Sequence, residues 1–351
     1  MTFDETVRLI QPVDAQIAAR VQARLDGLTK PLGSLGRLEE TVVRYAAITG
    51  EAKPNVPRGV VFTLAADHGV AMEGVSAYPS EVTPQMVLNF LRGGAGVNVL
   101  ARHTGVEVRV VDIGVAYDFG IIPGLIRKKV MRGTRNLRRE PAMSRAEATQ
   151  AVRIGIDLAA EAAREGIGLI GTGEMGIGNT TPSAAIAAVM TGRAVADVTG
   201  RGTGIDDAGH IHKIQVIQEA LDRHRPDRAD ALDVVAKVGG LEIAGLAGVI
   251  LGAAAARVPI VLDGFIAGAA ALIAAGIQPL CCDYLIASHR SVERGHQVIL
   301  DHLGLKALLD LDLRLGEGTG ACLGMGLVQA SIKILTEMAT FGEAGVSGRE
   351  A

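Results

Sequence analysis

The sequence contains no tryptophan, and aromatic residues make up only 3% of its 351 residues. Proteins that bind single-stranded nucleic acid stack the bases on aromatic side chains, so this composition argues against such a platform. The formal net charge is −3, with 35 basic and 38 acidic residues. A chain so nearly balanced lacks the basic surface typical of nucleic-acid-binding proteins. We therefore expect no nucleic-acid partner.

The chain has only three cysteines, Cys281, Cys282 and Cys322, which form neither a disulfide framework nor a set with metal-ligand spacing. Buried thiols in a reducing cytosol are the simpler interpretation. The N-terminus lacks the basic-then-apolar pattern of a signal peptide. The longest uncharged run, 264–282, is rich in Ala and Gly and is interrupted by Gln and Pro, which predicts a buried helix and strand. We expect a cytoplasmic protein without membrane association.

The length exceeds that of a usual single domain, and the 48% of hydrophobic residues suffice for a large core. Apolar segments alternate with helical patterns, as is typical of an α/β fold with a mostly parallel sheet. Strands are predicted over 60–66, 106–111, 166–170, 259–262, 283–287 and 307–315. Helices are predicted over 5–49, interrupted by a turn with Ser34 as an N-cap, and over 82–91, 144–164, 206–224, 229–238, 242–256 and from 320 to 338. We expect a polar excursion over 117–143 and a mobile tail over 343–351.

Each predicted strand ends in a small or polar cluster. These clusters are Asp67-His68, Asp112, Glu174, Asp263, Ser288-His289 and Glu317. Because the carboxyl ends of parallel strands share one edge of a sheet, acids that are far apart in sequence should meet in one crevice. This arrangement favours an enzyme over a binding module.

A glycine-rich stretch, Ile170-Gly-Thr-Gly-Glu-Met-Gly-Ile-Gly-Asn-Thr-Thr181, reads as a strand, a tight turn and a helix. Either Asn179 or Thr181 would cap the helix, and Pro182 falls in its first turn. Glycines allow close backbone approach, and a new helix presents free amides, so a phosphate is the usual ligand of such a turn. Glu174 would repel a phosphate unless its carboxylate points elsewhere.

The same stretch matches the dinucleotide fingerprint Gly171-x-Gly173-x-x-Gly176. That fingerprint needs a second buried strand about 20 residues later, ending in an acid that holds the ribose. Asp197 lies at a suitable distance, but no apolar strand precedes it. A nucleotide-type turn is therefore supported, whereas NAD binding is only weakly indicated.

Two glutamates next to glycines are the main catalytic candidates. Glu317 lies between Gly316 and Gly318, and we favour a reactive role over that of an exposed turn residue. Glu174 has a similar setting, although it could serve only to orient Glu317 or a helix end. Asp263 has two equal interpretations, a functional acid or the cap of the helix that begins at Gly264.

Other polar residues keep two interpretations each. Asp67 and His68 could form a general-base pair, or they could satisfy backbone groups in a turn. Lys213 is either a solvated helix lysine or the counter-charge of a phosphate. His210 and His212 are two apart in a helix and point to different faces, so they predict no metal site.

Several long motifs together resemble the nicotinate-nucleotide:dimethylbenzimidazole phosphoribosyltransferase family, and they occur in the expected order from about residue 30 to residue 330. They are KPLGSLGRLE from Lys30, ADHGV from Ala66, GEMGIGNTTP from Gly173, KVGG from Lys237, LDGF from Leu262 and RLGEGTG from Arg314. The resemblance implies transfer of phosphoribose from nicotinate mononucleotide to dimethylbenzimidazole, giving α-ribazole phosphate and nicotinate. This product supplies the lower ligand of cobalamin.

The resemblance also implies a Rossmann-like domain with helices on both faces of its sheet, a small helical domain built from the chain termini, and a homodimer. We assign residues 1–58 to the N-terminal helical part of the small domain, 59–325 to the catalytic domain, and 326–351 to a C-terminal helix and mobile tail. No cofactor or metal is implied. The leaving nicotinate departs from a cationic pyridinium, so the reaction needs no Lewis acid.

By position, Glu317 matches the catalytic base of the family and Glu174 a supporting carboxylate. The residues expected to bind phosphate and ribose are Gly176, Ile177, Gly178, Asn179, Thr199, Gly200, Gly202, Lys213, Asp263, Gly264 and Gly320. The residues expected to bind the aromatic base are Tyr78, Gln85, Met86, Met175 and Leu315. Two alternatives remain, an NAD-dependent oxidoreductase of Rossmann type and a non-catalytic nucleotide-binding regulator.

Overall fold

The structure is a computed structural model that describes residues 2–347. Its strands are β1 Arg58–Ala66, β2 Glu107–Gly114, β3 Leu125–Arg127, β4 Ile167–Met175, β5 Ile260–Leu262 and β6 Leu285–Ala287. Its helices are α1 Phe3–Leu9, α2 Ala15–Asp26, α3 Arg37–Thr49, α4 Val82–Arg92, α5 Gly96–Thr104, α6 Arg145–Arg164, α7 Thr180–Thr191, α8 Val195–Val198, α9 Asp207–His224, α10 Ala231–Val238, α11 Leu241–Ala255, α12 Phe265–Ile277, α13 Arg294–Leu303, α14 Thr319–Glu337 and α15 Phe341–Ala344.

The six strands form one parallel sheet in the order β3-β2-β1-β4-β5-β6. Alternate residues of β1 face two different hydrophobic clusters, because successive side chains of a strand point to opposite faces. Phe62 and Leu64 pack into a cluster with α6, α7, α11 and α12. Val61 and Ala65 pack into a cluster with α2, α3, α5 and α14. The predicted α/β fold with helices on both faces is confirmed.

The two ends of the described chain meet on one face of the sheet. Side chains of α2, α3 and the second half of α14 share the cluster that contains Leu25, Tyr45 and Ile332. The Arg24 guanidinium donates to the Leu335 carbonyl at 3.0 Å. This cluster is continuous with the packing of the sheet, and α14 itself begins at Thr319. Domain boundaries at 58 and 325 therefore stay a prediction.

Within residues 2–347, one helix, α14, is long and apolar enough to cross a membrane by composition. Of its apolar window, 56% is buried against the rest of the fold. Contact with both the sheet and the terminal helices explains its apolar sequence, which is typical of a core helix.

Two predicted details are wrong, the residue that caps α3 and the residue at which β4 ends. Ser34 does not cap α3, which begins after Gly36. Instead, the Glu39 carboxylate accepts the Leu35 amide at 2.9 Å and pairs with Lys30 at 2.8 Å. The strand β4 continues to Met175, so half of the glycine-rich stretch is strand rather than turn.

The segment 307–315 is a loop rather than the predicted strand. Its Leu309 forms a single isolated bridge with His289. Asp312 has a left-handed backbone with φ of 55°, which ends any extended run. The patterns also failed to indicate β3, α8, α13 and α15, and the last two residues of α15 overlap the predicted mobile tail. Residues 348–351 of that tail lie outside the described part of the chain.

Candidate active site

A cavity of about 500 Å³ opens at the carboxyl edge of the sheet. Its lining comes from the ends of β4, β5 and β6 and from the loop before α14, which are distant in sequence. The lining residues are Tyr78, Val82, Met86, Glu174, Met175, Gly176, Ile177, Asn179, Thr180, Gly202, Thr203, Gly264, Phe265, Ile266, His289, Ser291, Glu293, Arg314, Leu315, Gly316 and Glu317. The predicted convergence of acids is therefore present in the structure for Glu174 and Glu317.

The backbone of Glu317 is held in a left-handed conformation with φ of 65°, which is costly for a residue with a side chain. Two contacts from the sheet hold it there. The Thr63 hydroxyl donates to the Glu317 carbonyl at 3.0 Å, and Gly173 of β4 packs so closely below that carbonyl that a Cβ would collide with it. The glycine in β4 thus makes room for the Glu317 segment rather than for a ligand.

The Glu317 side chain lies against the first residues of α5, near Gly96 and Val97. Burial raises the pKa of Glu317 to about 7, and the Val97 amide acts in the opposite direction. Its Oε2 atom is buried and has no hydrogen-bond partner among the described residues. A carboxyl group with this pKa is suited to taking up a proton near neutral pH.

Glu174 connects the two loops that border the cavity. Its carboxylate accepts hydrogen bonds from the Asn179 side-chain amide and from the backbone amide of Glu317. Burial is the main cause that raises the pKa of Glu174 to about 8, and the nearby Asp263 and Glu242 carboxylates add to it. The carboxylate therefore points at protein amides. For this reason Glu174 can lie beside a phosphate-type turn without directing its charge at the phosphate.

Asp263 caps a helix, but not the helix that the sequence indicated. Its carboxylate accepts the amides of Gly318 at 3.2 Å, Gly320 at 2.7 Å and Ala321 at 3.1 Å, at the start of α14. Gly264 takes the N-cap position of α12 without a side-chain bond. Burial raises the pKa of Asp263, and the nearby His289 opposes that shift. Asp263 thereby fixes the helix end that follows Glu317.

His289 lines the cavity, in agreement with its place in a polar strand-end cluster, although the sequence indicated no specific role for it. Its Nδ1 lies 2.9 Å from the Ser288 hydroxyl, and its ring occupies the space that a Cβ on Gly320 would need. Gly320 therefore packs against this ring, and its amide is bound by Asp263 rather than facing the cavity. The polar end of β6 was a usable signal for His289.

The turn 176–179 is held from below by the polar residues at the end of β1. The Ile177 amide donates to the Thr83 hydroxyl at 3.1 Å, and Thr83 in turn bonds Asp67. The Asp67 carboxylate also accepts the Ala116 amide at 2.7 Å. Asp67 thus satisfies backbone groups directly and through Thr83, and the Ile177 amide is engaged within the protein.

His68 lies beneath the same turn and pairs with Glu242 at 2.8 Å, with both side chains fully buried. Gly176 packs on this ring, since a Cβ there would come within 3.0 Å of the His68 Nε2 atom. Neither Asp67 nor His68 lines the cavity. The arrangement agrees with the structural interpretation of both residues. Asn179 occupies the N-cap position of α7, although its side chain bonds Glu174 instead of a helix amide.

Lys213 is buried, with 1% of its surface exposed, so it is not a solvated helix lysine. Its ammonium donates to the Thr180 hydroxyl at 2.6 Å and lies close to Gly202, and both of these residues line the cavity. Burial lowers the pKa of Lys213 to about 8, and Glu293 opposes the shift. A buried cation at a cavity wall can bind an anion strongly because little water screens it.

The loop 199–204 extends into a neighbouring cavity of about 440 Å³, which shares Gly202, Glu293 and Arg314 with the first. Thr199 and Gly200 line only this second cavity. His210 bonds the Thr199 carbonyl and His212 the Glu73 carbonyl, so the two histidines have different partners. No group of three metal-ligating side chains occurs within residues 2–347.

Four of the five predicted base-binding residues line the cavity: Tyr78, Met86, Met175 and Leu315. Gln85 is exposed on α4 and does not line it. His289, Ser291, Glu293 and Arg314 also line the cavity, although none of them was predicted as a catalytic or binding residue. Asp197, the acid that a dinucleotide fold would need, is exposed in the short helix α8 and is not at a strand end. This position gives no support to NAD binding.

Comparison with known proteins gives consistent matches along the chain. A family model described as phosphoribosyltransferase matches residues 10–346. A nicotinate-nucleotide–dimethylbenzimidazole phosphoribosyltransferase from Geobacter sulfurreducens is 63% identical over 343 residues, covering 98% of this chain and 97% of the relative. A protein of the same name from Geotalea uraniireducens is 61% identical and covers 99% of both chains. The crystal structure of CobT from Thermus thermophilus aligns with a TM-score of 0.92 and 49% identity, covering 95% of this chain and 100% of that one.

Proposed function

Because the chain belongs to the phosphoribosyltransferase family of these relatives, we propose that it transfers the phosphoribosyl group of nicotinate mononucleotide to dimethylbenzimidazole. The products are α-ribazole phosphate, which supplies the lower ligand of cobalamin, and nicotinate. The observation that carries the proposal is the buried Glu317 carboxyl group, which lines the cavity and has a pKa raised to about 7.

In the proposed reaction, one nitrogen of the benzimidazole attacks the anomeric carbon of the ribose from the side opposite nicotinate. The bond from that carbon to the pyridinium nitrogen breaks, and its electron pair neutralises the pyridinium. The proton on the second nitrogen of the benzimidazole passes to Glu317. Attack opposite the leaving group inverts the β-nucleotide to an α-nucleotide. General-base assistance of this kind contributes about 10²–10⁴-fold to the rate.

Glu174 is proposed as a positioning residue for the base. It is bonded to the backbone of Glu317 and to Asn179, and so it holds the loop before α14 against the turn before α7. Because burial keeps the pKa of Glu174 near 8, this group is largely protonated at neutral pH. A neutral Glu174 does not compete with Glu317 for the benzimidazole proton.

The donor phosphate is placed near Lys213, Thr180 and Gly202, and the turn 176–179 closes the same end of the cavity. The Gly178 backbone has φ of 87°, a conformation that favours glycine and allows the turn to pack closely on Ala71, and Gly178 itself does not line the cavity. We place the aromatic base against Met86, Met175 and Leu315, which are apolar side chains of the cavity lining. Methionine side chains adapt to flat aromatic ligands.

One assay tests the proposed function. Purified protein is incubated with nicotinate mononucleotide and dimethylbenzimidazole, and α-ribazole phosphate is identified by its mass. The assay is run with and without a chelator, and we expect equal turnover because the cationic leaving group needs no Lewis acid. Tight donor binding without product would instead identify a nucleotide-binding regulator. Reduction of NAD with a candidate alcohol would identify an oxidoreductase.

The pH dependence of kcat/KM for nicotinate mononucleotide should be bell-shaped. Glu317 must be deprotonated to act as a base, so activity rises with pH through its pKa of about 7. Lys213 must be protonated to bind phosphate, so activity falls as pH rises through its pKa of about 8. Initial rates at low donor concentration between about pH 5.5 and about pH 9.5 measure both limbs. A profile that decreases through pH 7 would contradict the role of Glu317.

We also infer a homodimer, in line with the resemblance of the sequence to a dimeric family. Several large apolar side chains are exposed in the single chain, among them Leu32, Met72 and Ile121. Contact between two copies would remove such surfaces from water. The mass of one chain is 36.4 kDa. Light scattering at micromolar concentration should give twice that mass. A monomeric mass across that range would contradict the inference.

The domain division and location of the enzyme belong to the same proposal. We place residues 1–58 and 326–351 in a small helical domain, supported by the shared packing of α2, α3 and the end of α14. We place the enzyme in the cytoplasm, in keeping with its free cysteines, two of which are buried.

A further inference from the structure

Glu293 has a cavity-lining carboxylate that the proposed mechanism does not use. It occupies the N-cap position of α13, yet its side chain bonds none of the helix amides. Its Oε2 atom is buried and has no hydrogen-bond donor within the described chain. Burying a carboxylate oxygen without a donor is costly, so such atoms normally have a partner when the protein performs its function.

The surroundings of Glu293 keep its carboxylate at the cavity wall. Its Oε2 atom packs directly against Gly200, where a Cβ would collide with it. The Lys213 ammonium is near enough for Glu293 to affect its pKa, but the two groups form no ion pair within 4 Å among residues 2–347. The backbone amide of Glu293 donates to the Ser291 hydroxyl at 3.3 Å, which leaves the proton of that hydroxyl free to point elsewhere.

Two other carboxylates at this edge of the sheet already accept hydrogen bonds from the protein, and a third has a role in the proposed reaction. Asp263 accepts three amides of α14, and Glu174 accepts two donors from its neighbouring loops. Glu317 has the role of general base. Within residues 2–347, Glu293 and Glu317 are the cavity carboxylates that keep a buried oxygen without a donor, and of these two only Glu293 has no role in the proposed reaction.

The place of Glu293 in the cavity lining, near enough to Lys213 to affect its pKa, indicates which donor its carboxylate takes. A mononucleotide with its phosphate at Lys213 and its glycosidic carbon beside Glu317 must place its ribose between these two residues. The ribose carries two hydroxyl groups, and a hydroxyl that donates to a carboxylate forms one of the stronger hydrogen bonds in proteins. We propose that Glu293 accepts a hydrogen bond from a ribose hydroxyl of the donor and thereby selects ribose over deoxyribose. This inference rests on the proposed transfer from nicotinate mononucleotide.

Electrostatic repulsion between Glu293 and the donor phosphate would change donor affinity in the opposite direction. The direction of the measured change therefore distinguishes the two effects. A carboxylate near the donor phosphate repels it, and the Lys213 cation offsets only part of that repulsion. If repulsion dominated, neutralising Glu293 would tighten donor binding. If the hydroxyl bond dominates, the same change weakens binding, and only for donors that carry the bonded hydroxyl.

The test is a cycle of two proteins and three donors. Dissociation constants of nicotinate mononucleotide and of its 2′-deoxy and 3′-deoxy analogues are measured by calorimetry for the full-length enzyme and for Glu293→Gln. We expect Glu293→Gln to weaken binding of the ribose donor by about 10- to 150-fold. For the analogue that lacks the bonded hydroxyl, we expect the wild type to bind weakly and Glu293→Gln to differ from it by less than about threefold.

Asp301→Asn removes an exposed carboxylate from the same helix and serves as the matched control, with wild-type binding expected. An equal loss for all three donors would show that Glu293 only supports the fold and would overturn the inference. Tighter binding of the ribose donor by Glu293→Gln would overturn it as well, in favour of repulsion. Wild-type protein that forms no α-ribazole phosphate would refute the proposed function itself, and this inference with it.

Discussion

Glu317→Gln should lower kcat by at least about a hundredfold while leaving the affinity for nicotinate mononucleotide within a few fold of wild type. Glutamine keeps the size of the side chain but cannot take up the benzimidazole proton. The backbone of Glu317 is held by Thr63 and Gly173 rather than by its side chain, so the loop should keep its conformation. Steady-state kinetics at saturating dimethylbenzimidazole, with donor binding measured by calorimetry, separate the two quantities.

The pH profile distinguishes the loss of a base from a general disturbance of the site. The limb of kcat/KM near pH 7 belongs to Glu317, so it should disappear in Glu317→Gln, whereas the limb near pH 8 from Lys213 should remain. Glu337→Gln, at the exposed far end of α14, the helix that follows Glu317, is the matched control and should behave as wild type. Near-normal kcat in Glu317→Gln would remove this residue from the role of base.

Glu174→Gln should be milder, because Glu174 is largely protonated at neutral pH and glutamine resembles the protonated acid. The remaining loss of activity in Glu174→Gln comes from geometry. A glutamine offers one acceptor oxygen, whereas the side-chain amide of Asn179 and the backbone amide of Glu317 both donate to this side chain. An inactive Glu174→Gln beside an active Glu317→Gln would reverse the two assignments. Full activity in both variants would remove carboxylate base catalysis from the mechanism.

The centre of the sheet could be predicted because β1, β2 and β4 are buried on both faces and read as continuous apolar runs. The edge strand β3 was missed because only the first of its three residues is buried, whereas the equally short β5 and β6 are buried throughout and read as apolar runs. The extent of β4 was misjudged for another reason. Gly171 and Gly173 look like turn residues, but they are small because Met325 and the Glu317 carbonyl press on the strand from α14 and its preceding loop. That contact joins residues far apart in the chain, and no local pattern contains it.

The site shows the same division between local and long-range information. Flanking glycines singled out Glu174 and Glu317, because glycines beside an acid have a local sequence signature. The burial of Lys213 has no such signature, since it depends on the packing of α9 against Thr180 of α7 and on the loop 199–204. Glu293 has no local sequence signature either, because it follows a short edge strand and precedes a helix that the pattern did not indicate. For Asp263, a functional role and a capping role were equally supported by the sequence, and the choice between them, like the identity of the capped helix, depended on the folded chain.

The second large effect is expected at Lys213, which we propose binds the donor phosphate. Lys213→Met keeps most of the buried apolar stem and removes the charge, so it avoids the cavity that alanine would leave. A lost hydrogen bond between charged groups costs about 1.5–3 kcal/mol, which corresponds to a rise of about 10- to 150-fold in KM for nicotinate mononucleotide. The KM for dimethylbenzimidazole should change little, because we place that base against Met86, Met175 and Leu315 rather than against Lys213. Steady-state kinetics with each substrate varied in turn provide both values.

Two comparisons make the Lys213 result specific. Lys333→Ala removes an exposed lysine of α14 and should leave both KM values unchanged. In Lys213→Met, the fall of kcat/KM above pH 8 should also vanish, because the group that titrates there is gone. Removing a buried ammonium also removes its desolvation cost, so the variant should be at least as stable to heat as wild type. If only the KM for dimethylbenzimidazole rises, Lys213 belongs to the base subsite, and the donor phosphate must be held instead by the turn 176–179 and the arginines around the second cavity.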